Sequence, residues 1–229
     1  MLNVNGGGIA LLTTVRLVYS TPTFNLNRKF YECAFDPING EMPRIGDLYR
    51  ITKVTSGNNT NNRNFTLLGD PALRLNYPVN QVTTTEVNNV VITSQPDTLR
   101  ALSHVTIKGY VADTAGNVMT GFNGVLYPTV FDKAKTITTL GNDPPNPVYT
   151  FKLQKSVLYH GKVSVVNGYF TYSFVVPRDI AYQYGNGRVS YFADNGQTDA
   201  SGNHENIIIG GSNPNAPVDV TGPQIKLYL

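Results

Sequence analysis

The sequence predicts an α/β unit followed by an all-β sandwich of immunoglobulin-like type. Three observations carry this. Between Ile9 and Leu68 two short apolar runs enclose two stretches of helical periodicity. From Val105 onward the apolar period falls to two, punctuated by turn residues. Between the two regimes lies Phe65–Leu75, where Gly69-Asp70-Pro71 separates the apolar runs Phe65–Leu68 and Ala72–Leu75.

Gly6-Gly7-Gly8 precedes Ile9–Val15, a continuous apolar run bounded by turn residues. That pattern predicts a strand buried on both faces, as in a parallel sheet covered by helices. The glycines read as a turn into the strand, because a phosphate cradle needs a helix directly after them. A helix opens at Thr21–Phe24, with Leu26, Phe30 and Ala34 on one face and Tyr31 and Phe35 widening it. It stops at Asp36-Pro37, since the residue before proline avoids the helical region. Ile45, Leu48, Tyr49, Ile51 and Thr52 mark a second helix ending near Ser56-Gly57, and Asn58–Asn64 reads as a polar loop. Phe65–Leu68 is a strand, Gly69-Asp70-Pro71 a sharp turn and Ala72–Leu75 a short exit strand. Asn76–Gln81 reads as a linker. Two strands and two helices make only part of a layered α/β domain, so further strands are expected either upstream of Met1, the simpler source, or from a partner.

In the β region, Val105–Val111 alternates and Asp113–Asn117 supplies a turn. Val125–Phe131 and Thr136–Leu140 form a strand region in which Pro128 suits an edge or a bulge. Asp143–Pro147 reads as a rigid loop and Tyr149–Leu153 as a strand. Asn167-Gly168 between Lys162–Val166 and Tyr169–Val176 is a strong hairpin signal, because both turn residues adopt positive φ. Arg188–Ala193 and Ile207–Gly210 add two strands. Seven or so short strands suit a sandwich, and the lack of a cysteine pair and a core tryptophan excludes an antibody-type one. The expected domains are 1–78 (α/β), 79–222 (sandwich) and 223–229, the start of a further β segment.

Charged residues make up 14% of the chain, well below the roughly 25% usual in a soluble domain, so Asn, Thr, Ser, Gln and Tyr must form the polar surface. A net charge of +3 without a basic run gives nucleic-acid binding no support. No run approaches the roughly 18 apolar residues of a membrane helix, and Met1–Ala10 lacks the basic start of a signal peptide.

Candidate chemistry is sparse. Cys33, the single cysteine, reads as a half-buried helix residue, because no histidine lies in the first 78 residues to activate it. His104, His160 and His204 lack metal-ligand spacing and read as turn or surface residues. Asp194–Gly202 is rich in side-chain oxygens of the kind calcium takes, but its order is not that of an EF-hand, and it reads as a turn-forming loop. No cofactor is expected.

Gly7–Thr14, the helix Phe24–Phe35 and Leu67–Leu75, in this order and spacing, resemble the closing section of gingipain-type cysteine peptidases. Among these the resemblance is to the cell-surface sortases of the type IX secretion system of Bacteroidota. Tyr169–Pro177, Tyr191–Gly202 and Gly210–Asn215 resemble the immunoglobulin-like region of the same sortases. The resemblance implies a caspase-like catalytic domain with a His–Cys dyad. Its thiolate attacks a carbonyl, and water or an amine resolves the thioester. It further implies removal of the C-terminal sorting domain from secreted cargo and joining of the new terminus to an anionic lipopolysaccharide. The implied partners are that cargo and other outer-membrane components of the system, at the cell surface. Both dyad residues of such enzymes precede the segment resembling Gly6–Thr14. Nothing here matches either, and Cys33 does not occupy the nucleophile's place. No residue of this chain is therefore expected to be catalytic, cofactor-binding or metal-ligating. Two functions follow: a portion of such a sortase, or a free-standing cell-surface β-sandwich that binds or supports a partner.

Overall fold

The computed structural model describes residues 8–92, 97–142 and 148–216. The chain divides into two units, Met1–Tyr77 and Pro78–Leu229. The expected segment 223–229 and the loop Asp143–Pro147 lie outside the described residues.

The first unit runs β1 (Ala10–Thr14), α1 (Ser20–Ala34), α2 (Ile45–Thr55), α3 (Thr60–Arg63) and β2 (Phe65–Gly69). The helical faces follow the apolar spacing. Leu26 and Ala34 are buried on α1; Ile45, Leu48 and Thr52 are buried on α2. Tyr31 and Phe35, expected to widen the α1 face, are instead exposed. The strand expectation for β1 also changes. β1 is antiparallel to β2, from Ala10↔Gly69 to Thr14↔Phe65, and Leu11 and Leu68 are exposed. With two strands in this sheet, the faces that an apolar run would bury remain partly open.

The stretch expected to be the polar loop Asn58–Asn64 contains α3. The Asn59 side chain accepts from the Asn62 N–H at 2.9 Å, an N-cap that starts a helical turn. Asn61 and Asn62 are buried and act as braces: Asn61 Oδ1 accepts from Tyr19 N–H (2.6 Å), and Asn62 Nδ2 donates to Ser56 Oγ (2.9 Å). A composition that reads as a surface loop is thus consumed by internal hydrogen bonds.

Gly69 takes φ 144°. After it, Asp70-Pro71 forms a turn in which Asp70 Oδ1 accepts from Ala72 N–H (2.9 Å) and Asp70 O accepts from Leu73 N–H (3.3 Å). Ala72–Leu75 is not a strand; one bridge, Arg44↔Arg74, is its whole β pairing. Its backbone does a different task. The Pro71 and Leu73 carbonyls accept from Gly46 N–H (2.9 Å) and Ile45 N–H (2.8 Å), capping α2, whose Arg44 supplies no side-chain cap. Tyr77 Oη then donates to the Ala34 carbonyl at 2.6 Å, tying down the last turn of α1.

The second unit begins with β3 (Asn80–Val87), so the linker expectation over Asn76–Gln81 ends two residues too late. It continues β4 (Val90–Val91), β5 (Asp97–Ala101), β6 (His104–Ala112), β7 (Gly124–Phe131), β8 (Lys135–Thr138), β9 (Thr150–Leu153), β10 (Val157–His160), β11 (Val163–Val165), β12 (Tyr169–Val175), β13 (Gly185–Asn186), β14 (Arg188–Asp194), β15 (Asp199–His204) and β16 (Ile207–Ser212). The main sheet has the order β10-β7-β14-β15-β3-β6-β12, with β11 also on β7 and β4 on β3. Pairing is antiparallel except between β15 and β3, which run parallel through Ala200↔Asn80 and Ser201↔Gln81. β5 lies between neither half but joins β16 and β13 in a small sheet, and β8 and β9 form a separate ribbon.

Alternation decides which residues enter the core. β12 buries Phe170, Tyr172 and Phe174, and β14 buries Val189, Tyr191 and Ala193. These join Val105, Ile107, Leu126 and Val130 in one apolar cluster. Truncating a fully buried member such as Leu126 to alanine costs about 2–5 kcal/mol in such settings.

Asn167 (φ 51°) and Gly168 (φ 81°) both have positive φ, as the hairpin signal requires. Past the bridge Val166↔Tyr169, however, the two arms part. β11 pairs with β7 and β12 pairs with β6. The turn is a corner between two parts of the sheet rather than the head of a long hairpin. Pro128 is also differently placed than expected, since β7 is flanked on both sides. Its carbonyl accepts from Gly161 N–H (3.2 Å), in the gap between β10 and β11. Backbone N–H and C=O of one strand residue share a side, so the N–H that proline lacks would have faced that same gap.

Candidate functional site

The residues singled out by chemistry are placed apart from one another within their units. Cys33 lies one residue before the end of α1, half-buried, and no histidine occurs in the first unit. His104 opens β6, and His160 ends β10 with its Nδ1 2.9 Å from Thr129 Oγ1. His204 ends β15, its Nε2 buried without a partner, and burial lowers its pKa below the ordinary 6.5. Among the described residues no three His, Cys, Asp or Glu side chains converge as a metal site would need.

The oxygen-rich stretch Asp194–Gly202 is mostly strand rather than loop. β15 starts at Asp199, and the turn is confined to residues 195–198. There Asp194 Oδ1 accepts from Gly196 N–H (2.7 Å), and Asn195 Oδ1 accepts from Gln197 N–H (3.0 Å) and Thr198 N–H (2.8 Å). Asx-type turn chemistry accounts for these side chains.

Two clefts open in the first unit. One, of about 400 Å³, is lined by Arg44, Arg50 and Arg74 with Glu41, Asp47 and Met42. Arg74 is held by Glu41 (2.5 Å) and by the Met42 carbonyl (3.0 Å), and Arg44 stands 3.5 Å from Asp47. Arg50 has no ion pair among the described residues, which leaves the cleft a net cationic lining. Nothing in the sequence marks these arginines as a group, because positions 44, 50 and 74 meet only once the Asp70-Pro71 turn brings Arg74 beside Arg44. The other cleft, of about 440 Å³, is apolar, lined by Leu12, Phe24, Leu26, Phe30, Tyr31 and Phe65. It lies where α1 flanks the two-stranded sheet. Ile9, Leu11, Val15 and Leu68, which alternate onto the other face of the sheet, are exposed as well.

Residues 1–76 match the model of peptidase family C25. With this match in the first unit, the chain is related to the gingipain-type cysteine peptidases. Among solved structures it is similar to dimeric latent PorU from Porphyromonas gingivalis, at 26% identity and a TM-score of 0.56, over 82% of this chain and 18% of that one. The predominantly β architecture is that of PorU over the shared region. The chain thus spans less than a fifth of PorU's length. The sporulation control protein Spo0M from Bacillus subtilis aligns with a TM-score of 0.36 at 14% identity, over 59% of this chain and 51% of that one, too distant to inform the fold. No curated protein matches the chain. No helix among the described residues is long and apolar enough to cross a membrane.

Proposed function

We propose that this chain is the closing portion of a type IX secretion sortase, joining the end of the gingipain-like α/β peptidase domain (1–78) to an immunoglobulin-like sandwich (79–222). The dyad that attacks the cargo carbonyl is supplied upstream of Gly8. In this reading α1 and α2 back the catalytic sheet, and the sandwich positions the peptidase domain or docks components of the secretion machinery at the outer membrane of a Bacteroidota cell. The observation that carries it is the coincidence, in residues 1–76, of a C25 match with a two-stranded sheet whose apolar flank is open at Leu11, Val15 and Leu68. A layered α/β domain covers such a face with helices and extends such a short sheet with further strands. The order β12-β6-β3 on one side and β15-β14-β7 on the other, with β3 parallel to β15, supports the immunoglobulin-like reading.

The reading frame upstream of Met1 in the source genome tests this. A histidine and a cysteine encoded in the same frame are expected. A stop codon directly upstream, leaving no dyad, overturns the sortase reading in favour of a self-contained sandwich module.

A further inference from the structure

The outer face of the main sheet carries a row of side chains that the core of the second unit does not use. Across β7, β14, β15 and β3 the register sets Tyr127 opposite Phe192, Phe192 opposite Ser201, and Ser201 opposite Gln81. Directly opposed residues share a face, with Cβ atoms about 5 Å apart. Their neighbours Leu126, Tyr191, Ala200 and Val82 alternate into the core, and the four of the row are exposed. The Tyr127 and Phe192 rings, 36% and 43% exposed, stack with centroids 6.3 Å apart. The registered pairs of β15 with β3 end at Ser201↔Gln81, and a cleft of about 310 Å³ begins there. Gln81, Thr83, Ser201 and Asn203 line it, with His204 at its wall, whose Nε2 is buried without a partner.

The chemistry of the row identifies its ligand. Two aromatic rings lead into hydroxyl and amide groups, and none of these side chains is charged. Beside it Thr129 stands opposite Ser190 and Ser190 opposite Asn203, a second uncharged polar row. Lys162 is at the margin, its Nζ 6.0 Å from the Tyr127 ring centroid. We propose that this face binds a neutral oligosaccharide laid across the strands. A pyranose has an apolar C–H face and a rim of hydroxyls. The C–H faces pack on Tyr127 and Phe192. The hydroxyls exchange hydrogen bonds with Gln81, Ser201 and Asn203, whose side chains both donate and accept. The row covers three strand spacings of about 4.8 Å each, room for a short oligosaccharide. A nucleic-acid strand would use the same stacking but needs a cationic track for its phosphates, which this face lacks. A stable protein partner covers about 800 Å² around an apolar centre, whereas the apolar part here is two half-exposed rings. The site lies wholly in the second unit and is independent of a dyad upstream.

Isothermal titration of the full chain tests this, with maltohexaose, cellohexaose and mannohexaose as neutral probes and hexagalacturonate as the anionic one. Binding of at least one neutral hexasaccharide is expected. Its affinity should not change between about 0.05 and 0.5 M salt, since no ion pair forms. The double variant Tyr127→Thr, Phe192→Thr keeps strand propensity and should weaken binding about tenfold or more. Ser201→Arg, at an exposed position, lays a long charged side chain across the row and should abolish binding with the melt unchanged. Where the double variant fails to fold, Ser201→Arg decides. Absence of binding to every neutral hexasaccharide, binding of hexagalacturonate alone, or an affinity that the folded variants leave unchanged overturns the proposal. The face would then belong to a protein contact.

Discussion

The Tyr191 hydroxyl lies 2.7 Å from the Thr84 hydroxyl in the interior of the second unit, joining β14 to β3. Both residues are buried, and burial raises the Tyr191 pKa above its ordinary 10.0. Thr84→Val keeps the shape and removes the partner, leaving a buried phenol unpaired. The expected loss is about 1–3 kcal/mol. In the Tyr191→Phe background the same change should cost clearly less, since no hydroxyl is then orphaned. Urea denaturation of the four proteins of this double-mutant cycle measures the coupling. Additive losses would show that the pair does not interact.

Gly202 on β15 lies against the backbone of β3. A Cβ at that position would stand 2.1 Å from the Val82 carbonyl oxygen, a backbone atom with no flexible end to move aside. Gly202→Ala must therefore separate the parallel β15–β3 pair, at about 1–3 kcal/mol or more. By contrast, Ser201→Ala on the exposed side of the strand should change the melting temperature little. Equal melts for both variants would mean that β15 and β3 can part at Gly202 without cost to stability.

The pH dependence has two arms. Tyr77, Tyr172 and Tyr191 have pKa values raised by burial, so the folded chain keeps protons that the unfolded chain releases. Their contribution is complete below the unfolded value of about 10 and is lost as pH rises beyond it. His204 has the opposite sign. Its folded pKa is lowered, so its contribution is present above the unfolded value of about 6.5 and is lost as pH falls through the folded one. Melting temperature should decline above pH 10 and, more gently, below pH 6.5. His204→Gln should flatten the acid arm alone. An acid arm unchanged in that variant would assign it to carboxylates instead.

Residues 1–78 produced alone should aggregate or show no cooperative melt, because Leu11, Val15, Phe24 and Leu68 are exposed and the two-stranded sheet has few partners of its own. Residues 79–229, which own the large apolar cluster, should melt cooperatively. A cooperative transition in the shorter piece would show that the open flank needs no cover.

On the sortase reading, Cys33→Ala in the complete enzyme should leave peptidase activity within a few-fold. Cys33 is half-buried on α1, in a unit without a histidine to take its proton. Loss of activity with an unchanged melt would make Cys33 part of the chemistry.

Much of this architecture is legible in the residues, and the exceptions have physical causes. The helices were readable because Leu26 and Ala34, and Ile45, Leu48 and Thr52, recur at helical spacing and are the residues buried. β6, β12 and β14 were readable from strict alternation, and the Asn167-Gly168 corner from its need for positive φ. β3 was hidden because Asn80-Gln81-Val82-Thr83-Thr84-Thr85 looks like polar linker. Val82 and Val87 supply its few apolar side chains, and hydroxyls such as Thr84 are paired inside. β15 was hidden in the same way, as Asp199-Ala200-Ser201-Gly202-Asn203-His204 has one apolar side chain, Ala200, and uses Gly202 for close approach. α3 escaped because asparagines that cap and brace one another have the composition of a loop. The arginine cleft depends on the fold of the Asp70-Pro71 turn, and no spacing between positions 44, 50 and 74 announces it.

The most direct test of the sortase reading is the intact mass of the native protein in source cells, detected with an antibody raised against this chain. A species much larger than 25.1 kDa is expected, carrying the remainder of the peptidase domain with its dyad. A species of about 25.1 kDa would contradict the account and leave a cell-surface sandwich module in its place.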